Sequence, residues 1–199
     1  MNWEIRTADT PAAFEAAYTF CERFFPGLDA DAYARKRWME RMASAPDLMP
    51  YAVSGGAVAG VVFGRMEESG AVTVGPVAVD QALQGCGLGR ALLTELEARA
   101  ARRGVRLLVL GALESAEGFY LKCDYSPYLF IQTKPPHTLA ELRALNPGYP
   151  EARTCDDGTD VRLMLATGQI DKALQRTYDA AFPDCATQTV FMKELHPDA

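Results

Sequence analysis

The chain has 199 residues, 49% hydrophobic and 23% charged, a mix that excludes disorder and collagen-like structure. At this length one or two domains are expected, with enough burial to fold without disulfide or metal staples. A net charge of −6 argues against wholesale binding to a phosphate backbone, and no apolar run approaches the roughly 20 residues of a membrane span, so neither a nucleic acid nor a membrane is an expected partner.

The opening Met1-Asn2-Trp3-Glu4 lacks a basic flank followed by an apolar core, so no signal peptide is expected. The five cysteines (Cys21, Cys86, Cys123, Cys155, Cys185) are odd in number and scattered, with no CxxC. They read as reduced thiols in a cytoplasmic protein. The two histidines, His137 and His196, come late. A structural zinc site or a Ser-His-Asp triad in the first two thirds is thereby excluded, and no metal is expected.

In chain order, Trp3–Thr7 reads as a short strand. Thr10-Pro11 then offers an N-cap followed by proline at the first helical position. Phe14, Ala17, Tyr18, Cys21, Phe24 and Phe25 recur at helical spacing up to a stop at Pro26-Gly27. A second helix is expected from Asp29 or Asp31, with Ala30, Ala34, Trp38 and Met42 as its stripe. Strands Met49–Val53, Ala57–Met66 and Ala71–Val79 follow, joined at Gly55-Gly56 and Ser69-Gly70 as an antiparallel meander. The pattern then changes to a helix, Gly87–Arg103, and an apolar strand, Val105–Leu110. Together with the preceding strand these predict one parallel crossover in an otherwise antiparallel sheet.

After residue 126 the expected elements are a strand (Pro127–Thr133) and a short helix opened by the capping box Thr138-Leu139-Ala140-Glu141 and stopped at Asn146-Pro147-Gly148. Next come a hairpin around Asp157-Gly158, a helix carrying Ile170, Leu174 and Tyr178 up to Pro183, and a final strand Gln188–Leu195. The order β-α-β-β-α-β is ferredoxin-like. The alternative is that only the last strand joins the main sheet and the rest is an insertion.

The chemistry concentrates in Val77 to Arg90, where a strand enters a glycine-rich turn that opens a helix. The first N–H groups of a helix have no partner within it, the dipole favours a negative group there, and glycines admit phosphate close to the backbone. Arg90 adds positive charge. No Gly-Lys-Ser/Thr is present, so this is not a Walker loop. Gly85, Gly87 and Gly89 are spaced GxGxG rather than GxGxxG, and no acid lies near Val105, so the dinucleotide fingerprint fails too.

Gln84-x-x-Gly87-x-Gly89 matches the Q/R-x-x-G-x-G/A motif of the GNAT superfamily of acetyl-CoA-dependent N-acetyltransferases. Residues 117–125, Glu-Gly-Phe-Tyr-Leu-Lys-Cys-Asp-Tyr, resemble that family's FYxKxGF helix. The resemblance covers about residues 3–132. It implies an α/β (α+β) fold, a mixed and mostly antiparallel sheet with flanking helices. The implied catalytic domain is 1–132; the element order leaves 133–199 as a small C-terminal β-α-β-β-α-β unit, with strand 127–133 open to either. It also implies acetyl-CoA as co-substrate and a small-molecule or peptide primary amine as acceptor. Gln84, Gly85, Cys86, Gly87, Leu88, Gly89 and Arg90 would hold the pyrophosphate, and the strand Val77, Ala78 and Val79 would pair with the pantetheine arm. A bulge at Gly75-Pro76 would free that strand's edge.

Tyr120 matches the family's general acid, and a phenol suits protonation of a departing thiolate; a core aromatic is its other reading. Phe24, Phe25 and Trp38 fall where the family lines its acceptor site, though helical spacing gives them a core reading as well. The family's Gly-Phe is Asp124-Tyr125 here, its asparagine is replaced by Leu113, and strand 71–79 has no carboxylate to act as base. Glu67, Glu68 and Glu114 are substitutes, alongside ordered water. Arg99, Arg102, Arg103 and Arg106 suit a solvated helix C-terminus, with the CoA 3′-phosphate as their other reading. Two other functions are carried: a non-catalytic acyl-CoA-binding or regulatory module, and a nucleotide-binding oxidoreductase. For the C-terminal unit the candidate roles are covering the acceptor site, homodimer formation, or binding a regulator.

Overall fold

The computed structural model describes residues 2–25 and 34–196. They form two compact units, one running up to Leu108 and rejoined by the residues from Glu194, the other being Val109–Lys193. A division at 132/133 follows motif coverage; this one follows which residues pack on each other, a different question.

The first unit holds β1 (Glu4–Thr7), α1 (Pro11–Glu22), α2 (Arg35–Ser44), β2 (Pro50–Ser54), β3 (Ala57–Met66), β4 (Val72–Val79) and α3 (Leu88–Arg102). Strands β1 to β4 pair antiparallel in chain order, the expected meander. α1 begins as read: Pro11 follows the cap, and the Thr10 side chain accepts from the Ala13 N–H at 3.2 Å. It ends at Glu22, short of Phe24 and Phe25, whose N–H groups turn back to the Cys21 carbonyl. The second helix's expected start at Asp29 or Asp31, its Ala30, and the Pro26-Gly27 stop lie outside the described residues.

β3 carries glycines where α3 crosses it. A Cβ on Gly60 would stand 2.9 Å from Leu92 Cδ1 and 3.2 Å from the Ala78 carbonyl; one on Gly64 would stand 3.0 Å from Leu96 Cδ1. The leucine tips therefore rest on bare backbone, and α3 seats close to the sheet. Its far end is tied down as well. Arg99, buried, donates to Glu95 (2.7 Å), Thr7 Oγ1 (2.9 Å) and the Asp47 carbonyl (3.1 Å), and Arg103 grips the Asp47 carboxylate with two bonds of 2.6 Å. Arg103 holds the Asp47 carboxyl below the usual range, first by hydrogen bonding and then by charge. Arg99 is thus a buried tie rather than a solvated cation.

β5 (Leu107–Gly111) crosses the boundary between the units. It starts later than the expected Val105 because α3 ends in a Schellman motif. Gly104 takes φ +77° and donates to the Ala101 carbonyl, and Val105 donates to the Ala100 carbonyl, so both residues close the helix.

The second unit contains α4 (Glu117–Lys122), β6 (Ser126–Thr133), α5 (Leu139–Ala144), β7 (Glu151–Asp156), β8 (Val161–Leu165), α6 (Lys172–Ala181) and β9 (Ala186–Glu194, all but its last residue). From β6 the order is β-α-β-β-α-β, and the strands stand β9-β6-β8-β7, all pairs antiparallel. This is the ferredoxin-like arrangement. The capping box is formed: Thr138 N–H donates to Glu141 Oε2 at 2.7 Å, and Glu141 N–H to Thr138 Oγ1 at 3.3 Å. α6 starts at Lys172, because the Asp171 side chain accepts from the Leu174 N–H and caps it there. Leu129, Ile131, Leu142, Leu163, Leu174 and Tyr178 belong to this unit's core.

Candidate active site

β4 is irregular in its middle. Gly75 has φ +143°, a value that side-chain-bearing residues rarely adopt, and the Gly75–Pro76 peptide is cis. The β3–β4 register shifts there, passing from Val62↔Val77 to Gly64↔Val74, so β4 carries the extra residue of the expected bulge. Beyond the bulge, Asp80 N–H bonds the Ala59 carbonyl on the β3 side. Backbone groups alternate along a strand, so those of Val77 and Val79 face the opposite edge. Gln84 uses that edge: its side-chain amide donates to the Val79 carbonyl at 3.2 Å.

The Asp80 carboxylate then caps a single turn, Gln81–Leu83, by accepting from the Ala82 N–H at 3.0 Å. Gly85 and Gly87 follow with φ +76° and +88°, both exposed, and a Cβ on either would point into open space. Gly87 is the N-cap of α3, so no side chain caps the helix. Its first intrahelical bond runs from Ala91 N–H to the Gly87 carbonyl at 3.0 Å, which leaves the N–H groups of Leu88 and Gly89 ahead of the ladder. The loop from Gln84 to Arg90 is therefore an open, backbone-lined cradle at a positive helix end, and it fits a phosphate-bearing co-substrate.

Beside it, Phe24, Arg23, Asp80, Gln81 and Ala82 line a shallow cleft of about 500 Å³. Phe24 and Phe25 are half-buried against the first unit's core, and Trp38 lies inside it at 1% exposure, its ring 5.4 Å from Phe63. Among the candidate bases, Glu67 is engaged. Burial pushes its carboxyl up, but hydrogen bonds from Thr73 and Arg65 outweigh that and hold it below the usual range. Glu114 is exposed in the turn before α4.

Tyr120 belongs to the second unit. It is 7% exposed, with its ring 5.2 Å from Phe119, 6.0 Å from Tyr125 and 5.6 Å from Phe191. Burial, then the charge of Cys123, pushes its phenol up to about 12. It is neutral at physiological pH and holds its proton for a strong acceptor. α4 ends in the same motif as α3: Asp124 N–H donates to the Leu121 carbonyl and Tyr125 N–H to the Tyr120 carbonyl, both at 3.1 Å, with Asp124 at φ +64°. The departure from the family's glycine keeps its geometry, since aspartate tolerates this region better than most residues. Asp124→Gly should remove residual strain and stabilise the fold by about 0.5–1 kcal/mol, seen as a melting-temperature rise of roughly 1–4 °C. An unchanged or lower melting temperature would count against this account.

Sequence reasoning missed the buried Glu117, whose Oε1 accepts from Lys172 Nζ at 2.6 Å. The available signal was its position one turn before Tyr120, on the same helix face.

A profile of the acetyltransferase (GNAT) family matches residues 12–125, more than half of the chain. The chain belongs to the GNAT acetyltransferase family. It is therefore an acyltransferase of a family that uses acetyl-CoA. Solved GNAT structures share the fold at low identity. An N-acetyltransferase from Staphylococcus aureus Mu50 is 14% identical with a TM-score of 0.53, over 98% of this chain and 100% of that one. A GNAT-family acetyltransferase from the same organism gives 10% and 0.53 over the same shares. The N-acetylglutamate synthase of Neisseria gonorrhoeae, solved with coenzyme A and N-acetyl-glutamate, gives 13% and 0.50 over 98% of this chain and 36% of that one. No curated protein matches the chain by sequence. Among the described residues, no helix of this GNAT protein is long and apolar enough to cross a membrane, and no cluster of His, Cys, Asp and Glu is placed to hold a metal.

Proposed function

We propose that the protein moves an acetyl group from acetyl-CoA to a primary amine, with residues 1–132 as the catalytic core and 133–199 as an appended unit. The observation that carries this reading is the open cradle of Gly85 and Gly87 at the uncapped start of α3. Backbone N–H groups of Gly85, Gly87, Leu88 and Gly89 bind the pyrophosphate, with Cys86 and Arg90 in the same loop and Gln84 holding it to Val79. The outward backbone groups of Val77 and Val79 pair with the pantetheine arm, and one N–H of that strand stabilises the oxyanion. The amine forms its bond to the acetyl carbon as the carbon–sulfur bond breaks. Tyr120 donates the phenolic hydrogen to the leaving sulfur, and the proton that the nitrogen sheds on becoming an amide returns through ordered water to restore the phenol. Phe24, at the cleft beside the loop, is the best placed of the three aromatics to meet an acceptor.

The test is thiol release from acetyl-CoA against spermidine, free amino acids, an amino sugar phosphate and a peptide with a free N-terminus, beside calorimetric titrations with CoA and NAD. The expected result is CoA binding, no NAD binding and turnover of at least one amine. NAD binding without CoA binding would overturn the assignment. The burial of Tyr120 also suits a non-catalytic acyl-CoA-binding module, and CoA binding with no thiol release against any amine would favour that.

A further inference from the structure

The family match ends at residue 125, yet α4 is held by residues far downstream. At its first residue, the Glu117 side chain is 6% exposed and paired with Lys172. Lys172 opens α6 and also donates to Gln175 Oε1 at 3.2 Å and Thr189 Oγ1 at 3.3 Å. Just past the other end, Lys193 of β9 donates to the Cys123 carbonyl at 3.0 Å and stands 5.3 Å from the centre of the Tyr125 ring. Between the two, Phe191 of β9 packs on Tyr120 itself.

A six-residue helix has no stability of its own, so what surrounds α4 decides where its side chains point. Glu117 and Tyr120 lie three residues apart and share a face. An anchor at Glu117 and another at Cys123 fix both the rotation of α4 about its axis and its position along it. We propose that Lys172 and Lys193 form a two-point clamp through which the C-terminal β-α-β-β-α-β unit positions Tyr120. Lys172 and Glu117 are positioning residues and Tyr120 the group that acts; the proposal rests on the reading of Tyr120 as proton donor. It gives the appended unit a task other than covering an acceptor or making a dimer.

The test uses the full chain and the fastest amine of the panel, with acetyl-CoA hydrolysis as the readout if no amine turns over. Lys172→Met should lower kcat between about 10- and 100-fold, the scale of a small misplacement of a reacting group, and leave KM for acetyl-CoA and CoA affinity within about twofold. Lys172→Arg should recover most of the rate. Adding Lys172→Met to Tyr120→Phe should cost little more, and the amides of α4 should exchange with solvent faster while those of α3 do not. Lys172→Met leaves a carboxylate buried without its partner, so Glu117→Gln/Lys172→Met repeats the test with neither charge. An unchanged kcat in both variants, or an equal loss with and without Tyr120, overturns the clamp alone. An unchanged rate in Tyr120→Phe overturns the proton-donor reading and the clamp together.

Discussion

Gly87→Glu is expected to weaken CoA binding at least ~100-fold, or about 2.7 kcal/mol, in a calorimetric titration. Gly87, in the loop proposed to hold the pyrophosphate, stands at φ +88° with open space where its Cβ would be. A glutamate fills it, sets a carboxylate against the pyrophosphate, and takes up the helix dipole that would have favoured the ligand. The left-handed backbone adds roughly 1–2 kcal/mol of folding cost for any side chain there. Gly87→Ala is the control that separates the two effects. It carries the same backbone strain and should lower the melting temperature similarly, with a much smaller loss of affinity. Retained CoA affinity in the glutamate variant would refute the loop assignment outright.

Tyr120→Phe is expected to lower kcat ~100-fold or more with little change in KM, the signature of a group that acts only as the bond breaks. The ring contacts with Phe119, Tyr125 and Phe191 need no hydroxyl, so the variant keeps its packing. The raised phenol also makes a pH prediction. Burial and Cys123 push it up to about 12, so the active neutral form persists as pH rises and is lost only near that value. The rate should therefore climb as the acceptor amine loses its proton and show no falling limb between pH 7 and 10. Handing a proton from such a phenol to a thiolate of ordinary basicity is uphill by roughly 5 kcal/mol, a cost compatible with a turnover barrier. A falling limb near pH 9, or an undiminished kcat, would remove Tyr120 from the mechanism.

What could be read from the sequence was local. Thr10-Pro11, the Thr138–Glu141 box and the glycine turn at Gly55-Gly56 each place cause and effect within four residues, and the structure has all three. The shape of the glycine loop was legible for the same reason, since it is set by consecutive backbone groups. Side chains that find partners across the chain were not. Arg99 and Arg103 sit in a charged run that suits a solvated helix end, and only folding brings Asp47 to them. Lys172 is 55 residues from Glu117, with nothing in either neighbourhood to connect them. Asp124 is an instructive middle case. It breaks the family's letter, but α3 and α4 close with the same pair of hydrogen bonds, so what is kept is a backbone shape. The return of the chain from Glu194 to the first unit, with Leu195 N–H on the Arg106 carbonyl, also has no local sign.

The bare backbone at Gly60 has a consequence for how this enzyme can drift in evolution. Leu88 and Leu92, which bear on Gly60, belong to the first turns of α3, the same turns that present the cradle. A methyl group added at Gly60 would lift that end of the helix while the arginine ties hold the other. Selection at this position would then act on coenzyme affinity as much as on folding, although residue 60 touches no ligand in the proposed site. A residue chosen for having no side chain would set a binding constant, and an inventory of ligand-contacting residues would pass over it.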